Sequence, residues 1–294
     1  MKNEWIVTPE ESGIKLLQFL KQKLPAHFSL KQIKKAIDLN HCLLNERIER
    51  FSSTLVGRGD HIVFDPPDIN IIDQSKSTPP KIQSLYEDKD LLASNKPPGV
   101  PFDQPQWIKS LEKHAGTTLY PIHRLDRDTT GVQLFAKSKD ILQKCIDLFK
   151  SLSVKKEYDA LVDGIPKNPK GIIQTKLGII GEYQGQKQWG VVDDPKGLSA
   201  VTRWTLKQSG KQAAWLKCYP ETGRTHQIRV HLSSIGHPIL GDGQYGKKFH
   251  CPFRPKRHLL HATSIKFPHP TTGKTIEIVA PLPQDFLEAT EHCL

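Results

Sequence analysis

The sequence predicts an α+β protein: a large mixed, mainly antiparallel sheet flanked by helices and loops, preceded by a small α+β module. Three observations predict it. Short strand-like pieces dominate the chain after residue 81, with helical patterns between only some of them. The first 66 residues instead pair two short helical patterns with a few short strands. Between the two lies "DPPDINIIDQSKSTPPK", with four prolines in residues 65–81, a composition that stiffens the chain and disfavours helix.

In chain order, residues 12–64 read as one unit. In "GIKLLQFLKQKL", Ile14, Leu17, Phe19, Leu20 and Leu24 fall close to helical spacing, and Pro25 closes the segment. "SLKQIKKAIDLN" offers Ser29 as N-cap and places Leu30, Ile33, Ala36 and Ile37 on one face. Lys31, Lys34 and Lys35 fall largely elsewhere, toward solvent or phosphate. "CLLNERI" reads as two short apolar pieces around an Asn-Glu turn, and "GRGDHIVF" as a turn and a strand. The expected organisation is a module over 1–66, a linker over 67–81 and a second domain over 82–294. In that domain the expected strands are "IQSLYEDKDLLASNKPPGV", "GVQLFAKS", "EYDALVDG", "AAWLKCYP", "THQIRVHLSSIG", "LLHATSIKF" and "TIEIVAP", with a helix in "KDILQKCIDLFKSL".

Composition narrows the function. The 294 residues are 37% hydrophobic, enough for a core, and 42 Lys and Arg against 31 Asp and Glu give a net charge of +11 and a pI near 9.3. Such a balance suits either a polyanionic partner or a merely basic surface. The five cysteines are far apart and odd in number, which argues against a disulfide framework and suits a reducing cytosol. The first residues show no signal peptide pattern, and no run of about 18 apolar residues occurs. A cytoplasmic protein that does not span the membrane is expected.

Three stretches carry chemistry. In "PIHRLDRDTTGVQLFAKS" Asp126 stands between Arg124 and Arg127 at the entrance to a strand; nearby cations favour an ionised carboxylate, suited to nucleophilic or electrostatic work. The same residues also fit an ion-pair knot holding a loop. In "ETGRTHQIRVHLSSIGHPILGDGQYG", Arg224, His226, Arg229 and His231 crowd together. Read as a strand, it places Arg229 and His231 on one face, where Arg229 can meet Asp126 across the sheet. Its turns, "TGR" and "GHPILGDG", offer backbone amides to phosphate. In "KKEYDALVDG", Tyr158 begins an apolar run after three charges, fit for a core position or for stacking on a base.

Taken together, HRLDRDTTG, KKEYDALVDG, ETGRTHQIRVHL with GHPILGDGQYG, RHLLHATSIKFPHPTTGK and the Lys-Pro-x-Gly turn of DLLASNKPPGV resemble the RluA-type pseudouridine synthases over about residues 85–285. The 12–64 unit is similar to the small RNA-binding module of the ribosomal-protein-S-four type. The resemblance implies an RNA pseudouridine synthase that flips a uridine out of structured RNA, breaks its N-glycosidic bond and rejoins the base through C5. It implies no cofactor and no metal, because nothing is oxidised. It implies Asp126 as the catalytic aspartate, attacking the ribose or removing a ribose proton. It implies Arg229 as the arginine paired with Asp126, and Tyr158 as the tyrosine that stacks on the base and takes the C5 proton. Arg124 then fills the gap left by the flipped nucleotide. Arg224, Lys137, Lys155 and Lys156, together with the basic "GKKFHCPFRPKRH" and, in the module, Lys34 and Lys35, are candidates for RNA phosphates. The implied partner is rRNA or tRNA, with the protein a monomer.

Other readings are weaker on the residues. His250, Cys251, His258 and His261 form a C-x6-H-x2-H spacing that is not a standard zinc pattern. No GxSxG elbow supports a serine hydrolase. A catalytically silent RNA-binding or ribosome-assembly protein is the alternative from another class; the joint presence of Asp126, Tyr158 and Arg229 counts against it.

Overall fold

The computed structural model describes residues 2–38, 41–49, 51–66, 82–183, 186–246 and 248–294. The chain divides into two compact units, Met1–Thr78 with Ile180–Gln188, and Pro79–Ile179 with Trp189–Leu294. Most of the expected linker, 67–81, lies outside the described residues.

In the first unit, β1 (Asn3–Ile6), α1 (Leu16–Lys23), α2 (Leu30–Asp38), β2 (Cys42–Leu44), β3 (Arg47–Ile48) and β4 (His61–Phe64) build a four-stranded sheet in the order β1-β4-β2-β3, antiparallel throughout. Ser29 caps α2 as expected, with a reciprocal bond the spacing S-x-x-Q announces: Gln32 N donates to Ser29 Oγ at 3.2 Å and Ser29 N to Gln32 Oε1 at 2.8 Å. Ile33, Ala36 and Ile37 turn inward onto Leu16, Phe19, Leu20, Ile62 and Phe64, while Leu30 stays exposed. The Asn-Glu turn has both residues in the left-handed region, φ 51° and 66°, as a two-residue hairpin with right-twisted strands requires. Strand β1 pairs with β4 and lies before the segment expected to open the unit.

The second unit holds most of an 11-stranded sheet, of which two strands, Lys170–Tyr183 and Gln186–Val191, also include residues of Ile180–Gln188. Its elements are β5 (Ser84–Glu87), β6 (Leu91–Lys96), α3 (Pro105–Ala115), β7 (Tyr120–Pro121), β8 (Thr130–Ala136), α4 (Lys139–Lys150), β9 (Lys155–Asp163), β10 (Lys170–Tyr183), β11 (Gln186–Val191), β12 (Leu198–Ser209), β13 (Ala213–Pro220), α5 (Gln227–Ser234), β14 (Leu260–Pro268), β15 (Thr275–Val279) and α6 (Gln284–Cys293). The strand order is β11-β10-β12-β13-β9-β14-β8-β6-β5, with β15 on β14 and β7 on β8. Among the described pairings only β8 with β14 is parallel. This is the expected α+β class.

Strand β8 is the centrepiece. All seven of its residues are buried, so neither face meets water. Val132, Leu134 and Ala136 pack with Leu91, Ala93 and Ile265, and Phe135 packs from the other face with Leu92, Trp107 and Leu111. Gln133 is a polar residue in this dry strand, and both ends are used: its Nε2 donates to Phe102 O at 3.0 Å, and its Oε1 accepts from Trp107 Nε1 at 3.4 Å.

One expected strand is a helix. "THQIRVHLSSIG" forms α5 over Gln227–Ser234. Its six residues Gln227–Leu232 are all buried, so the polar side that normally betrays helical period is missing, and Ile228, Val230 and Leu232 imitate a strand's alternation. The helix is favoured by local chemistry. Gln227 Oε1 accepts from Arg224 N at 3.0 Å and from the Thr222 hydroxyl at 2.6 Å, and its Nε2 donates to Val201 O and Thr202 Oγ1 on β12. Arg229 therefore does not share a strand face with His231. His231 points to Thr202 and Thr175, with Arg229 on another side of the helix.

Gly131, the second residue of β8, has φ 109°, and a Cβ there would stand 2.1 Å from the carbonyl oxygen of Ala262 on β14. Replacing it should therefore cost both backbone strain and a forced separation of the parallel β8–β14 pair. Gly131→Ala is expected to lower stability by roughly 2–4 kcal/mol, read as a lower urea midpoint at unchanged m-value.

Candidate active site

The site is built where the β7–β8 loop, the start of β9 and the N-terminus of α5 converge. These segments line an open cleft of about 510 Å³ that includes Arg124, Asp126, Lys156, Tyr158, Arg224 and Arg229.

Asp126 sits in the β7–β8 loop with its side chain 15% exposed. The loop is fixed residue by residue. Its carbonyl at Asp126 accepts from Thr129 N at 3.2 Å, closing a turn. Arg127 O accepts from Lys96 Nζ at 2.9 Å, and Asp128 O from Arg257 Nη1 at 3.0 Å. The hydroxyls of Thr129 and Thr130 bond His258 at 2.9 Å and His261 at 2.8 Å. The next residue is Gly131, pressed against Ala262. Lys96 is fully buried and donates to three carbonyls, Pro97 O, Val100 O and Arg127 O. Burial pulls it down to about 7, with Asp128 and Asp126 opposing. Three acceptors match the three protons of an ammonium, so the charged form is the one this pocket is shaped to hold.

Arg229 is 7% exposed and lies between two carboxylates. Its Nη1 donates to Asp126 Oδ2 at 3.1 Å; its Nε and Nη2 donate to Asp242 at 2.7 and 2.9 Å; Nη2 also meets Gln244 Oε1 at 3.3 Å. Burial opposes its charge, but Asp242 and Asp126 together raise its pKa above the ordinary arginine value. For Asp126, burial is the largest single influence and pushes up; the positive charges of His226, Arg229 and Arg124 together outweigh it and hold the carboxyl below its usual range. His226 is itself held below the ordinary histidine value, first by burial. At neutral pH its imidazole is uncharged, so the guanidiniums of Arg229 and Arg124 keep Asp126 ionised there, and His226 adds its charge only at lower pH.

Tyr158 and Lys156 alternate with Lys155 along β9, so they share one face and Lys155 takes the other. Tyr158 and Lys156 line the cleft and Lys155 does not. Burial, then the Asp126 charge, raises the Tyr158 phenol above its ordinary value, so it carries its proton at neutral pH. Lys156 donates to Thr222 O at 3.0 Å and is pulled down to about 8 by burial. Arg124 is exposed, with its guanidinium 5.5 Å from the Phe102 ring centre. Arg224 is exposed too, and its Nε donates to Ser199 O at 3.0 Å. Lys34 is exposed and Lys35 half-buried on α2, in the first unit.

The expectation that the turn amides of "TGR" and "GHPILGDG" face phosphate is corrected at named atoms: the amides of His237, Leu240 and Asp242 donate to backbone carbonyls. Arg224 N bonds Gln227, and the amides of Gln244 and Tyr245 donate to Asp242 Oδ1 at 3.1 and 3.2 Å. The turn after Asp242 serves the carboxylate that holds Arg229. Sequence reasoning missed Asp242 in this role, along with Lys96, Arg257 and His258 as supports of the Asp126 loop. The quoted motifs contain all four, but only the fold shows whom they meet. The four candidate metal ligands are spent separately: His250 on Asp163 at 2.8 Å, Cys251 beside Cys293 at 3.6 Å, His258 on Thr129 and His261 on Thr130. Among the described residues no group of three or more His, Cys, Asp or Glu could hold a metal, and no helix is long and apolar enough to cross a membrane.

What this arrangement offers is an ionised carboxylate, aimed by a buried guanidinium, beside a tyrosine ring in a basic cleft. Comparison with known proteins identifies the class. The model of the RNA pseudouridylate synthase family matches residues 90–234. The ribosomal large subunit pseudouridine synthase D of Haemophilus influenzae is 31% identical over 314 residues, covering 96% of this chain and 92% of that protein. The ribosomal large subunit pseudouridine synthase C of Buchnera aphidicola subsp. Schizaphis graminum is 38% identical over 214 residues, covering 67% of this chain and 66% of that protein. Among solved structures, human RNA pseudouridylate synthase domain containing 1 aligns with a TM-score of 0.60 at 27% identity, covering 68% of this chain and 83% of that one. The chain belongs to the RluA-type RNA pseudouridine synthases, enzymes that isomerise uridine to pseudouridine in RNA.

Proposed function

We propose that this synthase acts on uridines of the large-subunit ribosomal RNA, as a cytoplasmic monomer, with Asp126 as the residue that works on the ribose. The observation that carries the site is the contact of Arg229 Nη1 with Asp126 Oδ2 at 3.1 Å on the wall of a basic cleft. The names of the relatives, both ribosomal large subunit synthases, support the substrate.

The chemistry follows from the charges. Isomerisation breaks N1–C1′, turns the base, forms C5–C1′ and moves the C5 proton away, with no net oxidation. An anion at Asp126 Oδ1, opposite the oxygen that Arg229 holds, acts at the ribose by attack on C1′ or by taking the C2′ proton; both routes need the ionised form. A stacked nucleotide cannot bring its C1′ to a loop on the floor of a cleft, so the uridine is flipped out, and the exposed Arg124 fills its place. Tyr158 supplies its ring to the flipped base, with a hydroxyl that stays protonated. Lys156 and Arg224 grip the flanking phosphates from the cleft, while Lys155, Lys34 and Lys35 serve the RNA beyond it. The 1–66 module binds RNA as well. Lysines on an exposed side of α2, opposite the buried Ile33, Ala36 and Ile37, support that reading.

The test joins substrate to residue. In cells lacking this gene, a pseudouridine map of total RNA should lose one or a few large-subunit rRNA positions, regained on supplying the wild-type chain and not with Asp126→Asn. Purified Asp126→Asn should bind rRNA within about twofold of wild type while its product formation falls by at least about 10⁴-fold. An unaltered rRNA map, or a normal rate from the variant, contradicts the proposal. Lys156 adds a pH signature. It is positive below about 8 and loses its charge above. RNA affinity should therefore fall as pH rises from 7 to 9, and Lys156→Gln should remove that fall and reduce the salt slope of binding by about one phosphate contact. Filter binding at fixed salt measures both.

A further inference from the structure

One side chain in the cleft has no task in the mechanism above. His226 is the residue before α5, and its backbone is left-handed, φ 57° and ψ 17°. That conformation is uncommon for a residue with a Cβ, and it persists only where the surroundings impose it. It caps nothing with its side chain. Instead the ring is sandwiched. Its Nδ1 lies 2.7 Å from the Tyr245 hydroxyl, and its Nε2 lies 3.8 Å from Asp126 Oδ1. Its side chain is 14% exposed, next to the cleft.

We propose that His226 is a positioning residue for Asp126, donating from Nε2 to Oδ1, with Tyr245 fixing the tautomer that makes the donation possible. This rests on the reading of Asp126 as the reacting carboxylate. The Tyr245 hydroxyl accepts the backbone N–H of Trp189 at 3.3 Å and has its own proton to donate to His226 Nδ1, 2.7 Å away. With Nδ1 accepting, the ring proton sits on Nε2, the nitrogen facing Asp126. The opposite tautomer would set an Nε2 lone pair against a carboxylate oxygen. Arg229 does not make the second contact: it reaches Asp126 through Nη1 alone and gives its other donors to Asp242 and Gln244. One hydrogen bond fixes a point, and a carboxylate held at one oxygen still turns about Cβ–Cγ. A second donor fixes its plane. At 3.8 Å the contact is open, and closure by about 1 Å makes it a hydrogen bond, as catalytic contacts commonly tighten when substrate fills the site. The charged groups around the ring come from every side: Asp126 and Arg124 from the loop, Arg229 from α5, Asp242 and Tyr245 from the segment after it. The left-handed start of α5 is what turns the imidazole back toward that loop.

The test uses the full chain and transcribed, unmodified large-subunit rRNA tritiated at uridine C5, reading single-turnover tritium release and, separately, RNA binding. His226→Asn keeps a residue that tolerates the left-handed backbone but is too short to reach Oδ1. His226→Gln carries a donor near the Nε2 position. Tyr245→Phe keeps the ring and removes the hydroxyl, and with it the tautomer lock and the acceptor of the Trp189 N–H. The expected rates are a loss on the order of 100-fold for His226→Asn, recovery to within about tenfold of wild type for His226→Gln, and a loss of roughly 10- to 100-fold for Tyr245→Phe, all with RNA affinity within about twofold. A wild-type rate from His226→Asn or from Tyr245→Phe, or equal losses from Asn and Gln, overturns the proposal. Asp126→Asn, run alongside, separates the two readings: if it stays active, the assignment of Asp126 fails; if it is dead while His226→Asn is normal, only the role of His226 fails.

Discussion

Arg229, buried between Asp126 and Asp242, is the interaction on which the site depends. An isolated carboxylate at the depth of Asp126 would be driven toward its neutral form by burial. A lone guanidinium at 7% exposure would be costly as well. The arrangement resolves both by unequal sharing. Asp242 takes two donors and anchors the arginine, and Asp126 receives one, so its other oxygen stays unclaimed by the guanidinium. Buried charge networks of this kind contribute little net stability and are strongly disrupted when one member is removed. What this one supplies is a fixed anion.

The sheet makes that anion reproducible. Asp126 lies on a loop, yet the loop is tied down along its length by Lys96, Arg257, His258 and His261. Arg257 is in turn held by Asp285 at 2.6 and 2.9 Å, so the brace reaches α6, far along the chain. Strand β8, buried on both faces, gives the loop a rigid exit. The parallel contact of β8 with β14 sets the threonine pair beside the two histidines that receive it. A flexible loop thus gains the precision of a strand end.

The sequence made much of this legible, for reasons that can be named. Ser29, the Asn45-Glu46 turn and the strand β8 are encoded by local chemistry: a cap, a two-residue turn and an apolar run. The contact of Asp126 with Arg229, 103 residues apart, follows from strand alternation as well as from the motif resemblance, but the structure makes it from a helix and not from a strand. Helix α5 was hidden because burial on every side removed the polar face that reveals helical period. β10 and β12 were hidden for the opposite reason: Ile172, Ile179 and Leu198 are exposed apolar residues, which blur the alternation of a strand with a wet face. The bracing contacts of Lys96 with Arg127 O, Asp242 with Arg229 and Arg257 with Asp128 O had no local signal, because tertiary packing brings those partners together.

The cleft is then a place where one negative charge is kept inside a positive surround. Arg124, Arg224 and Lys156 make the cleft basic, and Asp126 remains ionised beneath them because its neighbours hold it so. The most direct measurement of that claim is the titration of the Asp126 carboxyl itself, by ¹³C NMR of aspartate-labelled protein, the signal assigned by its loss in Asp126→Asn. The account predicts a midpoint below 3.8, the ordinary aspartate value. A midpoint well above it, with a carboxyl protonated near neutral pH, would contradict the account.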